Sequence, residues 1–234
     1  MSQWGCDTNV VIPESAEPHS INGSIVKNLD INSIYSSFIL KRNDTIVDNA
    51  EIIIDDDTLA FLDSIYYITY DSAAAITTGN YHVYVKNGSL EDSIGFTIPA
   101  NLSITDVALP EDRTNAAGNP VQMSWSLSPG NDGYIVGVIL KDSAYITDGY
   151  SFFSVDGAPQ ATIPPDAFRI YDDLDTGWYN VYVYSFTGWP EFDDNIPTTL
   201  PAGFTDTIAL QYLSGHFGTV VVSGRDSIHV VEGL

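Results

Sequence analysis

The residues best suited to chemistry in this sequence are acidic, and they gather in short loops. The chain has 31 Asp and Glu residues against 8 Lys and Arg residues, a formal net charge of −23. Calcium takes about six to eight oxygen ligands, often from carboxylates and loop carbonyls. Two acidic groups are dense enough to predict calcium sites: Asp172, Asp173 and Asp175, and Glu191, Asp193 and Asp194. Neither has EF-hand spacing, and solvated acids in turns are the alternative interpretation.

Signatures of catalysis are absent from the sequence. There is no Gly-x-Gly-x-x-Gly, no P-loop and no Gly-x-Ser-x-Gly motif. The four histidines are scattered and form no His-x-x-x-His pair, so no zinc site is predicted. The acidic charge repels phosphate backbones and anionic lipids, which argues against a nucleic-acid partner. We therefore predict a protein that is not an enzyme and that needs no cofactor, with calcium as the one open case.

Aromatic residues offer a second kind of site, for a protein or a sugar. Tyr and Trp present large rigid surfaces at low entropic cost, which suits both kinds of partner. In the strand-like segment after Gly177, every second residue belongs to an apolar set, so Tyr182 and Tyr184 are predicted to point outward. The predicted binding residues are Trp178, Tyr182, Tyr184, Trp189 and Phe192. Alternatively, the segment 188–217 folds over this face and the rings only pack against it.

One alternating motif occurs twice and predicts two β-sandwich domains. Gly79-Asn-Tyr-His-Val-Tyr-Val85 and Gly177-Trp-Tyr-Asn-Val-Tyr-Val183 lie 98 residues apart. Alternation of this kind is typical of a half-buried strand, and the spacing is that of one immunoglobulin-sized sandwich. We predict an all-β chain with domains at 19–99 and 100–234, joined through 99–101.

Two further segments of the second domain point to a family. A strand ending in Ser124-Trp125 is followed by a Pro/Gly/Asp turn and a strand opening at Gly133-Tyr134, and Leu174, Gly177 and Tyr179 follow later. These segments resemble the B–C hairpin and the E–F corner of a fibronectin type III domain. The resemblance implies a core position for Trp125 and a hydrogen bond from the Tyr179 hydroxyl to the backbone upstream. The first domain shares only the alternating motif and is predicted to be immunoglobulin-like.

The second domain departs from the fibronectin pattern at 188–217. This long segment lies before the predicted last strand at Gly218–Val222, where the family has a short loop. Insertions of this length in compact domains are usually functional or structured. Its aromatic and apolar residues favour a structured insertion, with an extra strand around Thr207–Tyr212.

The N-terminal segment 1–18 is predicted to be a tether. It is polar, contains two prolines and holds Cys6, the single cysteine, so the chain forms no internal disulfide. Gly5-Cys6 followed by a polar run resembles the mature start of a bacterial lipoprotein, which implies lipidation of Cys6. A free thiol is the alternative. No stretch approaches the ~20 apolar residues of a membrane helix.

Together these features predict a non-enzymatic protein that is extracellular or at a cell surface. It would act as an adhesion, binding or spacer module whose partner is a protein or glycan, with membrane contact only through a lipid at Cys6. Two alternatives are a self-assembling subunit of a surface layer or filament, which would be a homo-oligomer, and a carbohydrate-binding accessory module. Glycan binding that depends on Trp189 would favour the last.

Overall fold

The computed structural model describes residues 17–141, 149–154, 157–170, 173–190, 196–198, 200–201 and 208–232, with residues 170, 173 and 174 described by their backbone alone. Within these ranges the chain is built from β-strands, and its longest helical segment is a 3-10 turn at Pro165–Phe168. No helix in the described ranges is long and apolar enough to cross a membrane. The predicted all-β fold class is confirmed.

In the first half, nine strands between residues 17 and 99 form a sandwich of two sheets. They are β1 (His19–Asn28), β2 (Ser33–Arg42), β3 (Thr45–Ile46), β4 (Glu51–Ile54), β5 (Asp57–Thr58), β6 (Ala60–Leu62), β7 (Ile65–Tyr70), β8 (Gly79–Asn87) and β9 (Leu90–Ile98). One sheet has the order β1-β2-β7-β6, with β3 paired to β2, and the other has the order β5-β4-β8-β9. This is the strand order of an immunoglobulin-like sandwich.

The alternating motif of β8 faces the core of the first sandwich as predicted. Val83 and Val85 are fully buried and Tyr81 is half-buried, whereas His82 and Tyr84 on the opposite face are exposed. A two-residue turn that contains Gly88 (φ 59°) then reverses the chain into β9. The turn needs a positive φ, which glycine adopts without steric cost.

The described residues of the second half contain twelve strands, most of which build the second sandwich. They are β10 (Ile104–Val107), β11 (Thr114–Ala116), β12 (Val121–Trp125), β13 (Gly133–Leu140), β14 (Tyr150–Phe153), β15 (Gln160–Ile163), β16 (Arg169–Ile170), β17 (Asp173–Leu174), β18 (Gly177–Gly188), β19 (Ile208–Ala209), β20 (Leu213–Val222) and β21 (Asp226–Val231). β10, β12 and β15 form one sheet, while β11, β21, β18, β13 and β14 belong to the other. β16 and β17 form a separate two-stranded ribbon.

Core positions predicted for the second sandwich are confirmed at two aromatic residues. Trp125 is 4% exposed and meets Tyr134 edge to face, with ring centroids 5.4 Å apart. Tyr179 is buried, and its hydroxyl donates to the backbone oxygen of Asp175 over a long 3.4 Å. The backbone hydrogen bond implied by the fibronectin resemblance is therefore present.

The predicted insertion 188–217 is shorter in the structure than in the sequence-based prediction. β18 extends to Gly188, and β20 already begins at Leu213. The predicted extra strand corresponds to the two-residue β19, which pairs with β20. β20 is not the final strand, because β21 follows it and pairs with the first half of β18 while β20 pairs with the second half.

β20 also joins the two sandwiches. Along its other edge it pairs in parallel with β1 over all ten residues, from His19–Leu213 to Asn28–Val222. Strands from both halves of the chain therefore form one continuous sheet, with 12 strands among the described residues. β20 comes after the predicted boundary at 99–101 in the chain, yet it contributes to both sandwiches.

Each face of β20 packs into a different core. Leu213, Phe217 and Val221 point into the large hydrophobic core shared by both sandwiches, while Val220 and Val222 belong to a smaller core on the opposite side of the sheet. A Cβ at Gly23 of β1 would overlap the ring of Phe38. The absence of a side chain there lets β1 lie against that ring and beside β20.

Candidate functional site

Tyr182 and Tyr184, predicted to point outward, lie in a covered core. They are 5% and 0% exposed and pack with Ile135, Ile196 and Val220. Tyr184 also shares a hydrogen bond with the Thr198 hydroxyl, at 3.0 Å. Burial raises the pKa of Tyr184 well above the usual range. Ile196 and Thr198, which follow β18 in the chain, therefore cover part of this face, in line with the alternative that the sequence left open.

Trp178 is exposed, unlike the other described members of the predicted binding set. It lies at the start of β18, is 41% exposed and stacks on His229 of β21 with ring centroids 4.7 Å apart and planes within 6°. The pair is fixed by register, since Trp178 and His229 are directly opposite each other in the antiparallel ladder. One face of the indole is therefore already used by a neighbour within the chain.

Trp189 lies far from Trp178. It follows the end of β18, where its half-buried ring contacts His216 with centroids 4.2 Å apart. The two tryptophans are eleven residue steps apart along an extended strand, about 36 Å at ~3.3 Å per residue. Trp178 and Trp189 therefore cannot share one ligand-sized site. Phe192 lies outside the described residues.

The predicted calcium ligands fall largely outside the described residues. Asp172, Glu191, Asp193, Asp194 and the predicted lipidation residue Cys6 are among the undescribed positions, and of Asp173 only the backbone is described. Asp175 is half-buried, and its backbone oxygen accepts the Tyr179 hydroxyl. In the described part of the chain, no group of three His, Cys, Asp or Glu residues is placed to hold a metal. Calcium binding at the two acidic groups stays a prediction.

The structure contains an open cavity that the sequence did not indicate. It lies between the edge strand β9 of the first sandwich and the β18–β20 region of the second, has a volume of about 450 Å³, and is called the inter-sandwich cleft below. Its lining includes Gly95, Phe96, Thr97, Asp132, Ile208, Leu210 and Phe217.

Backbone groups of β9 point into the inter-sandwich cleft. β9 is the last strand of its sheet, so one of its edges has no strand partner within the described residues. In antiparallel pairs, alternate residues direct their N–H and C=O groups away from the neighbouring strand. The Thr97 carbonyl does so, because it accepts hydroxyls from outside its sheet, and Ser93 and Gly95 have the same parity. The cleft therefore combines an open strand edge with apolar side chains.

Three threonines fix the base of the cleft. The hydroxyls of Thr187 on β18 and Thr219 on β20 each lie 2.8 Å from the Thr97 carbonyl, and 2.7 Å from each other. All three contacts cannot be hydrogen bonds at once, because two hydroxyls supply only two protons. The Gly188 N–H donates to the Asp132 carboxylate at 2.8 Å nearby. The two threonine contacts to Thr97 hold β9 against the second sandwich.

Sequence comparisons assign no family. No family model and no curated protein matches the chain. The fold assignment therefore depends on strand order and pairing.

Several similar solved structures span most of the chain at low sequence identity. The D0-D1 domain of intimin is 11% identical, covers 92% of this chain and 98% of its own, and has a TM-score of 0.26. The IG1+IG2 fragment of DIP-gamma is 9% identical, with 88% and 98% coverage and a TM-score of 0.25. Titin Ig tandem domains A164-A165 are 9% identical, with 93% and 99% coverage and a TM-score of 0.25. At these scores the matches carry no argument about function.

Proposed function

We propose that this chain is a non-enzymatic binding module, extracellular or at a cell surface, that holds an extended segment of a protein partner in the inter-sandwich cleft. The observation that carries the proposal is the open edge of β9 beside the apolar residues Phe96, Leu210 and Phe217. An added peptide strand gains affinity from main-chain hydrogen bonds and specificity from alternate side chains that enter pockets.

The shared strand β20 supports this proposal, because it fixes the shape of the cleft. The ten-residue parallel ladder to β1 and the threonine contacts to Thr97 join the two walls of the cleft. A preformed site loses less conformational entropy when it binds than a pair of domains on a free linker.

Charge sets the chemistry of the proposed partner. The chain has a formal net charge of −23, and Asp132 lies in the lining of the cleft. A neutral or basic segment is favoured over an acidic one, since like charges at an interface cost free energy and slow association.

The test uses one glycine at the edge of β9. Gly95→Pro removes the N–H that an added strand would need, and proline is tolerated where an edge strand faces away from its sheet. Gly95→Val is the matched control, because it keeps the N–H, and a Cβ at this position meets only ordinary contacts with His82. Peptides would be selected from a random displayed library on the wild-type protein.

We expect the selected peptides to bind wild type and Gly95→Val with similar affinity and to lose at least about tenfold on Gly95→Pro, which is ~1.4 kcal/mol. Equal binding to all three proteins would place the peptide site elsewhere. Failure to select any peptide would count against recognition of extended protein segments altogether. Circular dichroism of each variant checks that the fold is retained.

The proposal also includes a lipid anchor at Cys6 and two calcium sites. Lipidation of Cys6 would place the module at a membrane through the segment 1–18, and acidic groups at 172–175 and 191–194 would bind calcium. Mass spectrometry of the native protein tests the lipid, and a shift of melting temperature on calcium addition tests the metal.

Self-assembly is the second candidate function, and the open strand edge of β9 also favours it. An unpaired edge is a template for another chain, including a second copy. The average mass measured over a dilution series separates the two functions. A constant monomer mass supports a binding module, whereas a mass that rises with concentration and returns to the monomer in Gly95→Pro supports assembly through β9.

A further inference from the structure

One carboxylate in the lining of the inter-sandwich cleft is held in a fixed position. Asp132 directly precedes β13, and one oxygen of its side chain accepts the Gly188 N–H at the end of β18, at 2.8 Å. The backbone N–H of Asp132 donates to the Phe186 carbonyl, also at 2.8 Å. Both the backbone and the side chain of Asp132 are therefore bound to the last residues of β18.

The Asp132 carboxylate can still bind a ligand. The residue is exposed and lines the cleft. Within the described residues, no lysine, arginine or histidine forms an ion pair with it. A carboxylate has about four lone-pair positions, of which the Gly188 N–H uses one. A guanidinium or ammonium group makes the strongest hydrogen bonds to such an acceptor.

An apolar part of the lining lies further along the cleft. Gly188, which binds Asp132, is opposite Gly218 in the β18–β20 ladder. Ile208, an apolar residue of the lining, is opposite Gly215 of the same strand β20. These two positions on β20 are three residue steps apart, about 10 Å at ~3.3 Å per residue. The cleft therefore has an acidic end at Asp132 and an apolar end at Ile208.

The open edge of β9 runs away from the acidic end. The Thr97 carbonyl marks that end, because the hydroxyls beside it belong to the residues next to Gly188 and Gly218 in the chain. Gly95 and Ser93 continue the edge along the lining of the cleft. A strand that pairs with β9 at these two residues would thus bring the side chain of a further residue towards Asp132.

We propose that Asp132 selects a lysine or arginine side chain in the extended segment that binds the cleft. The segment would pair with the open edge of β9 and extend its basic side chain to the carboxylate. An apolar residue about two to four positions away in the segment would lie beside Ile208. This role for Asp132 depends on the function proposed for the cleft and adds the residue that sets its specificity.

Peptides selected on the wild-type protein from the random displayed library test this role. The relevant peptides are those whose binding is weakened by Gly95→Pro, since they use the edge of β9. We expect them to share Lys or Arg at one aligned position. Replacement of that residue by Met removes the charge from a side chain of similar reach. It is expected to weaken binding to the wild type about fivefold, the upper range for an exposed ion pair.

Asp132→Asn removes the charge from the protein side and keeps an oxygen that can accept the Gly188 N–H. On this variant, the basic peptide and its Met version are expected to bind with similar affinity, because neither forms the ion pair. Asp63→Asn is the matched control. It changes the net charge equally, but Asp63 is exposed in the turn between β6 and β7 of the first sandwich. Asp63→Asn should retain the fivefold difference between the two peptides.

Three results would overturn the role of Asp132 and leave the cleft as a peptide site. They are Gly95→Pro-sensitive peptides without a shared basic residue, a Met replacement that weakens binding equally on Asp132→Asn and on the wild type, and a difference that Asp63→Asn abolishes as fully as Asp132→Asn. If no selected peptide is sensitive to Gly95→Pro, both proposals fail. Melting temperature shows whether Asp132→Asn has folded, and the comparison of the two peptides on the wild type does not depend on that variant.

Discussion

The ring of Phe217 lies 5.3 Å from the ring of Phe38, stacked at 20°, although one residue belongs to the second sandwich and the other to the first. Phe217 also meets Phe96 edge to face at 5.1 Å. β20, a strand of the second sandwich, therefore contributes a side chain to the core of the first. Because each half buries part of the other, we expect the two sandwiches to unfold together.

Replacement of Phe217 by Ala tests this coupling. Phe217 is 7% exposed, and removal of a buried phenylalanine side chain costs about 3–5 kcal/mol. We expect Phe217→Ala to lower the free energy of unfolding by about that amount in one cooperative urea transition. Tryptophan fluorescence reports mainly on the second sandwich, where Trp125, Trp178 and Trp189 lie, and far-UV circular dichroism reports on the whole chain.

Leu127→Ala serves as the control for Phe217→Ala, since Leu127 is 67% exposed and should change stability little. Two separate urea transitions would contradict coupled unfolding if Phe217→Ala shifted only the transition that tryptophan fluorescence does not detect. Coincident transitions by both probes would support it.

A glycine in β20 makes the parallel ladder to β1 possible. Gly215 has φ 137°, and a Cβ there would overlap the backbone oxygen of Ile21 on β1. Neither the strain nor the overlap can be relieved by side-chain rotation. We expect Gly215→Ala to lower the melting temperature strongly, in line with a loss of roughly 2 kcal/mol or more.

Gly224 provides the matched control for Gly215. It lies between β20 and β21, and a Cβ there would meet no atom within 4 Å. Gly224→Ala should leave the melting temperature unchanged or raise it slightly, because alanine reduces the entropy of the unfolded chain. Equal effects of the two substitutions would show that the ladder at Gly215 is not needed for stability.

The three threonines at the base of the cleft predict a coupling that a double-mutant cycle can measure. Thr187 and Thr219 both approach the Thr97 carbonyl, and either hydroxyl alone can satisfy it. We expect each single Thr→Val substitution to cost about 1 kcal/mol and the double substitution to cost more than their sum, because it leaves the carbonyl without a donor. Additive costs from urea titrations would contradict this shared role.

The strands and their inner faces could be predicted from local sequence. The Gly-x-Tyr-x-Val-x-Val motifs placed Val83, Val85, Val181 and Val183 in the core, and all four are fully buried. A two-residue period suffices for this because neighbouring side chains point to opposite faces. The core position of Trp125 followed from the family resemblance.

The outer face of β18 could not be predicted in the same way. Tyr182 and Tyr184 alternate with the core residues, but residues that come later in the chain, such as Ile196, cover them. The neighbouring strand β13 carried one sequence signal that this sheet is covered on both sides. Its residues 134–138 form a continuous, mostly apolar run, and all five are buried. Such runs are typical of strands covered on both sides.

The parallel pairing of β1 with β20, called the seam below, is even harder to predict from the sequence. The two strands pair across almost the full length of the chain, and no local pattern specifies a partner so distant. Gly23, Gly215 and Gly218 mark where backbones approach closely, but an isolated glycine in a strand can equally mark a bulge or a sharp bend. The inter-sandwich cleft depends on this seam and was therefore also missed.

Buried tyrosines predict a loss of stability at alkaline pH. Burial, and then the nearby Asp175 carboxylate, raise the pKa of Tyr179 to about 12, against an ordinary value of about 10. Because the folded-state pKa is the higher one, the stabilising contribution of Tyr179 is complete below about pH 10 and is lost as the pH rises towards 12. We expect the melting temperature of Tyr179→Phe to fall less than that of the wild type as the pH rises from about 9.5 to about 11.5. The control is Tyr84→Phe, at an exposed ring, which should follow the wild-type curve. If Tyr179→Phe instead follows the wild-type curve across this range, ionisation of Tyr179 does not limit alkaline stability.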